Sequence, residues 1–431
     1  MQIRRDMYLN RLITRKRNGM AKVITGVRRS GKSYLMNELF YQYLIDQGVE
    51  RTHIIRFAFD SAEDLSKIQE NPVQLAREKR KVDPLKFCNY VDQQISTEGN
   101  YYLLLDEIQL MDAFESVVNS YSRDSRLDLY VTGSNSKFLS SDIITEFRGR
   151  GDEVRIYPFR FSEFLTGFSG ETWQAWNDYL LYGGLPQILE MKTQEQKISF
   201  LKTVFQKVYV DDIVARYHLR GDETLNMLCD CLASSTGSLT NPKKLADTFV
   251  SAGYKSVSDK TISSYIEYMK EAFLIEQARR YNVKGKVYIG SPYKYYFCDT
   301  GLRNVRLGFR QFEPSHLMEN VIYNELLSRG LEVDVGVVTH DEKGINGCIT
   351  RKQLEIDFIV NRGNQRYYIQ SAYAIPDQEK MRQEQASLIH IPDSFRKIIV
   401  TNDPGPLWRN EKGITIMGIF DFLLHDNSLE L

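Results

Sequence analysis

The sequence predicts an α/β chain, a parallel sheet first and smaller helical and stranded modules after it, on three observations. Gly26-Val27-Arg28-Arg29-Ser30-Gly31-Lys32-Ser33 fits the phosphate-loop pattern G-x-x-x-x-G-K-[ST] at every fixed position. Tyr101 to Leu105 is an unbroken apolar run ending in Asp106 and Glu107, as suits a strand buried on both faces of a parallel sheet. From about residue 301 onward two helices and four strand-like runs follow in α-β-β-β-α-β order.

The totals bound the rest. A chain of 431 residues holds roughly two to four domains. Hydrophobic content of 42% is enough for real cores, and Lys+Arg and Asp+Glu stand at 56 each, so any basic footprint for nucleic acid must be local. The N-terminal residues carry no apolar signal segment and no run approaches membrane-spanning length. Cys88, Cys229, Cys231, Cys298 and Cys348 form no metal-ligand spacing and are odd in number. They read as reduced thiols of a cytoplasmic protein.

Taken in order, Val23 and Ile24 lead into the loop as a strand, and Ser33 opens an amphipathic helix with Leu35, Leu39, Phe40 and Leu44 on one face. Gly26 and Gly31 let the backbone wrap a polyphosphate, with N–H groups pointing inward at a helix N-terminus. Lys32 places a positive charge on the β- and γ-phosphates, and the Ser33 hydroxyl can ligate Mg²⁺. Arg28 and Arg29 add charge beside the phosphates. With Ser30 and Tyr34 they complete the candidate nucleotide-binding set. His53 to Asp60 reads as a second strand, and a helix runs near Cys88 to Ile95. At the end of the Tyr101 strand, Asp106 is expected to hold Mg²⁺ through its water shell, and Glu107 to polarise an attacking water. A further strand, Asp128 to Ser134, turns abruptly polar. A strand inserted between the two motif strands would carry a polar sensor at its tip, with Ser134 and Asn135 as candidates. Arg148 or Arg150, ahead of a strand at Glu153 to Tyr157, could supply a cation to a γ-phosphate in cis or in trans.

GVRRSGKS, LLLDEIQ, TGSNS and RGR followed by PFRFSEF resemble the prokaryotic AAA-type P-loop ATPases whose C-terminal part is known only as a domain of unknown function. The resemblance covers nearly the whole chain and implies an AAA-type sheet with ATP as nucleotide. No N-K-x-D guanine motif follows the sensor strand, which points the same way.

Expected domains are 1–160 for the ATPase and 161–222 for a helical lid and linker, which resembles the family's lid. A winged-helix-like segment at 223–300 and a restriction-endonuclease-like domain at 301–431 follow. In 161–222, helices are expected at Phe161 to Leu165, Trp173 to Tyr182 and Glu195 to Tyr217. Helices at Glu223 to Ser234, Pro242 to Val250 and Ser258 to Phe273, then a hairpin of Leu274 to Tyr281 and Val287 to Phe297, have the order of a winged helix. Residues 240–297 carry ten Lys/Arg against five Asp/Glu, a modest footprint for DNA, and the same module can serve for packing. The order after 301 resembles the restriction-endonuclease-like fold. There Glu319 and Asp357 match its metal-binding carboxylates, but Gln370-Ser371-Ala372 puts Gln where a carboxylate is usual and Ala where Lys belongs. That departure predicts a scaffold that has lost phosphodiester hydrolysis. The expected function is a Mg²⁺-dependent ATPase moving its C-terminal modules. The alternatives are an ATP-gated DNA-binding regulator and an ATP-controlled nuclease. A homo-oligomer or protein partner is compatible with each; a membrane is not expected.

Overall fold

A computed structural model describes residues 3–68, 71, 81–95, 98–133, 151–221, 223–251, 253, 257–343 and 349–431. The chain divides into two compact units, Met1–Pro158 and Phe159–Leu431. The borders expected near 222 and 300 fall inside the second.

The first unit is built on five parallel strands: β1 (Ala21–Gly26), β2 (Ile54–Ala58), β3 (Tyr101–Asp106), β4 (Leu127–Thr132) and β5 (Gly151–Ile156). Their spatial order is β2-β3-β4-β1-β5, so β4 lies between the two motif strands as expected. Every residue of β1, β3 and β4 is buried, which is why these strands read as continuous apolar runs rather than alternating ones. Val23, Phe57, Phe87, Leu103, Leu105 and Val131 belong to one core on the sheet. Full burial of each such side chain contributes about 1.5–3 kcal/mol of transfer free energy. Lys22 is the charged exception in β1, and the buried Asp128 on β4 neutralises it. Register fixes the rest: Ile24 pairs with Thr132, Leu105 with Val131 and Ala58 with Asp106. The carboxyl ends of β1, β3 and β4 are therefore level, where ligands bind in open parallel sheets.

The second unit joins helices Phe161–Gly167, Thr172–Tyr182, 194–216, Glu223–Ser234, Pro242–Ser251 and Asp259–Glu271 to a mixed sheet. Its strands are β6 (Ile275–Asn282), β7 (Val287–Phe297), β8 (Glu332–Lys343), β9 (Ile349–Arg362), β10 (Gln365–Ala372), β11 (Arg396–Thr401), β12 (Trp408–Arg409) and β13 (Thr415–Gly418). They lie in the order β12-β13-β11-β10-β9-β8-β6-β7. The hairpin expected as a separate wing is the β7 edge of this sheet, because β6 pairs in parallel with β8 through Arg280↔Val335 and its neighbours. Along β7 the outer half is mostly exposed and Lys294 to Phe297 are buried. Helix Pro314–Ser328 contacts the sheet, and nearly all of its described core-side residues, Glu319 included, are buried.

Helix Thr300–Arg306 was not legible, since six of its seven residues are buried and no polar face marks its period. Gly301 is required there: a Cβ would stand 2.0 Å from the Tyr182 carbonyl oxygen. Among the described residues no helix is long and apolar enough to cross a membrane. Cys88, Cys229, Cys231 and Cys298 are free thiols, Cys229 and Cys298 buried; Cys348 lies outside the described residues.

Candidate active site

The loop from Gly26 to Ser33 joins β1 to a helix over 32–46, whose Leu35–Phe40 stretch is π-helical. Gly26 sits at φ +126°, and a Cβ there would meet the Ile156 carbonyl oxygen at 2.0 Å. β5 thus presses against the loop so closely that only glycine fits. Arg29 and Gly31 also adopt left-handed backbone, at φ +63° and +90°. Ser30 is fully buried, Arg28 half-buried, and Arg29, Ser33 and Tyr34 exposed.

Lys32 is 5% exposed. Its Nζ donates to the carbonyls of Gly26 at 3.0 Å and Val27 at 3.1 Å. Burial pushes its ammonium down to about 8; Glu107 and Asp106 oppose that and Arg28 adds to it. A cation held on backbone carbonyls, with carboxylates near it, can transfer to an incoming polyphosphate.

Asp106 ends β3, buried. Burial raises its carboxyl above the ordinary value; hydrogen bonds from Thr132 and Ser33 and the charge of Lys32 pull it back, while Glu107 pushes it up. Ser33, the other residue expected to hold a metal ion, is thus near enough to Asp106 for its hydroxyl to favour the carboxylate. Asn37, one helical turn beyond Ser33, donates to Asp106 Oδ2 at 3.1 Å. Glu107 adopts left-handed backbone, φ 52° and ψ 43°, an unfavourable setting for a residue with a Cβ. The amide of the buried Gln109 donates to Glu107 Oε2. Asp60, just past β2, feels both acids: partial burial, then Asp106 and Glu107, raise its carboxyl.

Thr132, Asn37, Gln109 and Asp60 were missed in the sequence. Thr132 had a signal, being the last residue of the apolar β4 run opposite the Asp106 strand. It is fully buried; its hydroxyl donates to Asp106 Oδ1 and accepts from Glu107 N–H at 3.2 Å. The expected sensors Ser134 and Asn135, with Arg148 and Arg150, lie outside the described residues. Thr132→Val, close in shape, removes both bonds and leaves Asp106 with one donor fewer. ATP turnover is expected to fall about tenfold, with ATP affinity changed less than about threefold. The acid limb of the rate–pH profile should move to higher pH, because a lost donor raises the Asp106 carboxyl further. A steady-state pH–rate series on wild type and variant measures all three.

In the second unit Glu319 and Asp357 do come together. The lysine that Ala372 fails to supply arrives from another strand: Lys294, on β7, is 4% exposed along its side chain and sits 2.8 Å from Glu319, 2.8 Å from Glu355 and 3.4 Å from Asp357. Burial lowers its ammonium, but Glu319, Asp357 and Glu355 outweigh that and hold it above its ordinary value. Tyr296 donates to Glu319 at 2.7 Å, and Ser371 N–H to Asp357 at 2.9 Å. The ammonium and these donors already meet the carboxylates, so the cluster resembles a paired core. Among the described residues no group of three or more His, Cys, Asp or Glu is arranged to hold a metal ion.

Residues 18–165 match the family model of an AAA domain, and residues 174–313 match a domain of unknown function. An uncharacterized protein of Haemophilus influenzae is 32% identical over 430 residues, covering 98% of each chain. An uncharacterized protein of Methanocaldococcus jannaschii is 27% identical over 405 residues, 89% of this chain and 82% of that one. Among solved structures, a Walker-type ATPase of Pyrococcus abyssi aligns over 71% of this chain and 96% of its own, at 14% identity and a TM-score of 0.47.

Proposed function

The chain belongs to the same family as the Haemophilus influenzae protein, and we propose that it is a Mg²⁺-dependent ATPase whose turnover moves the modules of its second unit. The observation that carries this reading is the meeting of Lys32, Ser33, Asp106 and Glu107 at the level carboxyl ends of β1 and β3, inside a matched AAA domain. The residues present fit ATP with Mg²⁺. Gly26 allows close approach, Lys32 is a buried cation, and the Ser33 hydroxyl and the Asp106 carboxylate are neighbouring hard oxygen donors. When bound, the ion would be held by Ser33 and Asp106 and would neutralise phosphate charge. Lys32 binds the outer phosphates, Arg28 and Arg29 add to the local field, and Glu107 orients and deprotonates the water. Thr132 holds the Asp106 carboxylate and the Glu107 backbone in place. Asn135 and Arg150 remain candidates for sensing and neutralising the γ-phosphate.

A second reading, an ATP-gated DNA-binding regulator, draws on the exposed Arg279, Lys284 and Lys286 at the β6–β7 hairpin that edges the mixed sheet. Nuclease activity in the restriction-endonuclease-like part is disfavoured by the ion pairs that already satisfy Glu319 and Asp357. ATPase rate measured against protein concentration, with and without duplex DNA, tests the reading. Turnover is expected at every concentration, a rise in specific rate with concentration marking assembly and a rise with DNA marking a nucleic-acid partner. No ATP hydrolysis under any of these conditions would refute the proposal.

A further inference from the structure

Arg5 lies ahead of the phosphate loop in sequence and outside every motif, yet it is 1% exposed. Its guanidinium packs on the ring of Tyr8, 4.5 Å from the centroid. Nη1 donates to the Ser30 carbonyl at 2.6 Å, and Nη2 to the carbonyls of Tyr157 at 2.9 Å and Pro158 at 3.4 Å. Tyr8, from the helix Asp6–Thr14, adds its hydroxyl as acceptor for Tyr157 N–H at 3.4 Å. A side chain from the start of the unit therefore grips the nucleotide loop with one arm and the last residues of the unit with the other. Only a planar fork of donors can do both at once.

The bond to Ser30 has a geometric consequence. In a trans peptide the carbonyl and the following N–H lie in one plane and point opposite ways. With the Ser30 oxygen held outward by Arg5, the Gly31 N–H must face the other side of the loop, at the start of the helix that follows. Free of that bond, the 30–31 peptide, flanked by Arg29 and Gly31 in left-handed backbone, could rotate at little cost, glycine being permissive.

We propose that Arg5 is a positioning residue for nucleotide phosphate: it presets the Ser30–Gly31 peptide so that the Gly31 N–H faces the bound phosphates, and it ties that setting to Tyr157 and Pro158, where the chain leaves the ATPase unit. The inference rests on the ATPase reading and adds to it a residue that touches no substrate. Loss of a preset donor weakens ground state and transition state alike, so KM rises and kcat per folded molecule holds.

The test uses the full chain with Arg5→Gln, Arg5→Lys and Lys32→Ala, measuring Kd for ATP, KM, kcat and the folded fraction by circular dichroism. Arg5→Gln is expected to raise Kd and KM roughly tenfold, the scale of one charge-assisted hydrogen bond, with kcat per folded molecule within about twofold. Arg5→Lys should fall between, since an ammonium can reach one carbonyl set but cannot span both. A lower folded fraction with unchanged KM in both Arg5 variants would overturn the inference and leave Arg5 a purely structural tie. Should Arg5→Gln not fold, Arg5→Lys alone decides by the same KM criterion. ATP bound equally by wild type and the Arg5 variants, but not by Lys32→Ala, overturns the inference while sparing the ATPase reading. A wild type that binds no ATP overturns the reading beneath it.

Discussion

Lys32→Ala is expected to weaken ATP binding by roughly 10- to 150-fold, the equivalent of the 1.5–3 kcal/mol that a hydrogen bond to a charged group contributes. The free protein holds the ammonium on the Gly26 and Val27 carbonyls, which a triphosphate must replace with a stronger acceptor. Because burial brings this lysine down to about 8, the wild type should also bind ATP with a pH dependence that few lysines show. The ammonium is charged below that value and neutral above it. ATP affinity should therefore hold from pH 7 to about 8 and decline as the pH rises further, since binding then requires uptake of a proton. Lys32→Ala should bind weakly and without that step. Calorimetric titration of both proteins with ATP across this range measures the two effects together. Affinity within a few-fold of wild type would mean that the loop does not hold the phosphates.

Strands β1, β3 and β4 were legible because each is buried on both faces and so spells itself as an apolar run, Tyr101 to Leu105 most clearly. The loop was legible because close backbone approach leaves few residue choices, and the near-contact of Gly26 with Ile156 is the physical basis of one fixed position in the pattern. What sequence could not supply was lateral register. Thr132 reaches Asp106 only because β4 is inserted next to β3 with Leu105 opposite Val131; without that pairing a single threonine at the end of a strand carries no information. Arg5 is the stronger case, since the carbonyls of Ser30 and Tyr157 that it meets lie 25 and 152 residues away, and no side-chain pattern encodes a backbone acceptor.

The second unit was harder for the same reason. Its helices and strands were mostly placed from periodicity, but the hairpin β6–β7 was separated from the sheet that it joins. The parallel pairing of β6 with β8 spans a gap of more than fifty residues and leaves no local mark. That error concealed Lys294. Read as part of a wing, it counted toward a basic surface; in the sheet it is a buried counter-ion to Glu319, Glu355 and Asp357. The missing charge at Ala372 and the apparent surplus on the hairpin are parts of one arrangement.

Glu107→Gln is expected to cut ATP turnover about 10²- to 10⁴-fold, the range that a positioned general base supplies, while ATP binding persists. The change keeps the side chain's shape and its capacity to meet Gln109, so the loss tests chemistry rather than packing. It also removes a negative charge that raises the Lys32 ammonium. The decline of ATP affinity with pH should accordingly begin at lower pH in this variant than in wild type. That shift reports the Glu107 charge beside Lys32, whereas turnover reports its role as the base. Asp60 is the competing base, because its carboxyl is raised by the same two acids and it follows the neighbouring strand. Asp60→Asn separates the two assignments: turnover should stay within about threefold of wild type, as for a charge that acts only through the local field. Retained hydrolysis in Glu107→Gln together with its loss in Asp60→Asn would transfer the base to Asp60. Loss in Glu107→Gln alone would place the base on Glu107, the one acid among the described residues held in left-handed backbone, against the Thr132 hydroxyl and the Gln109 amide.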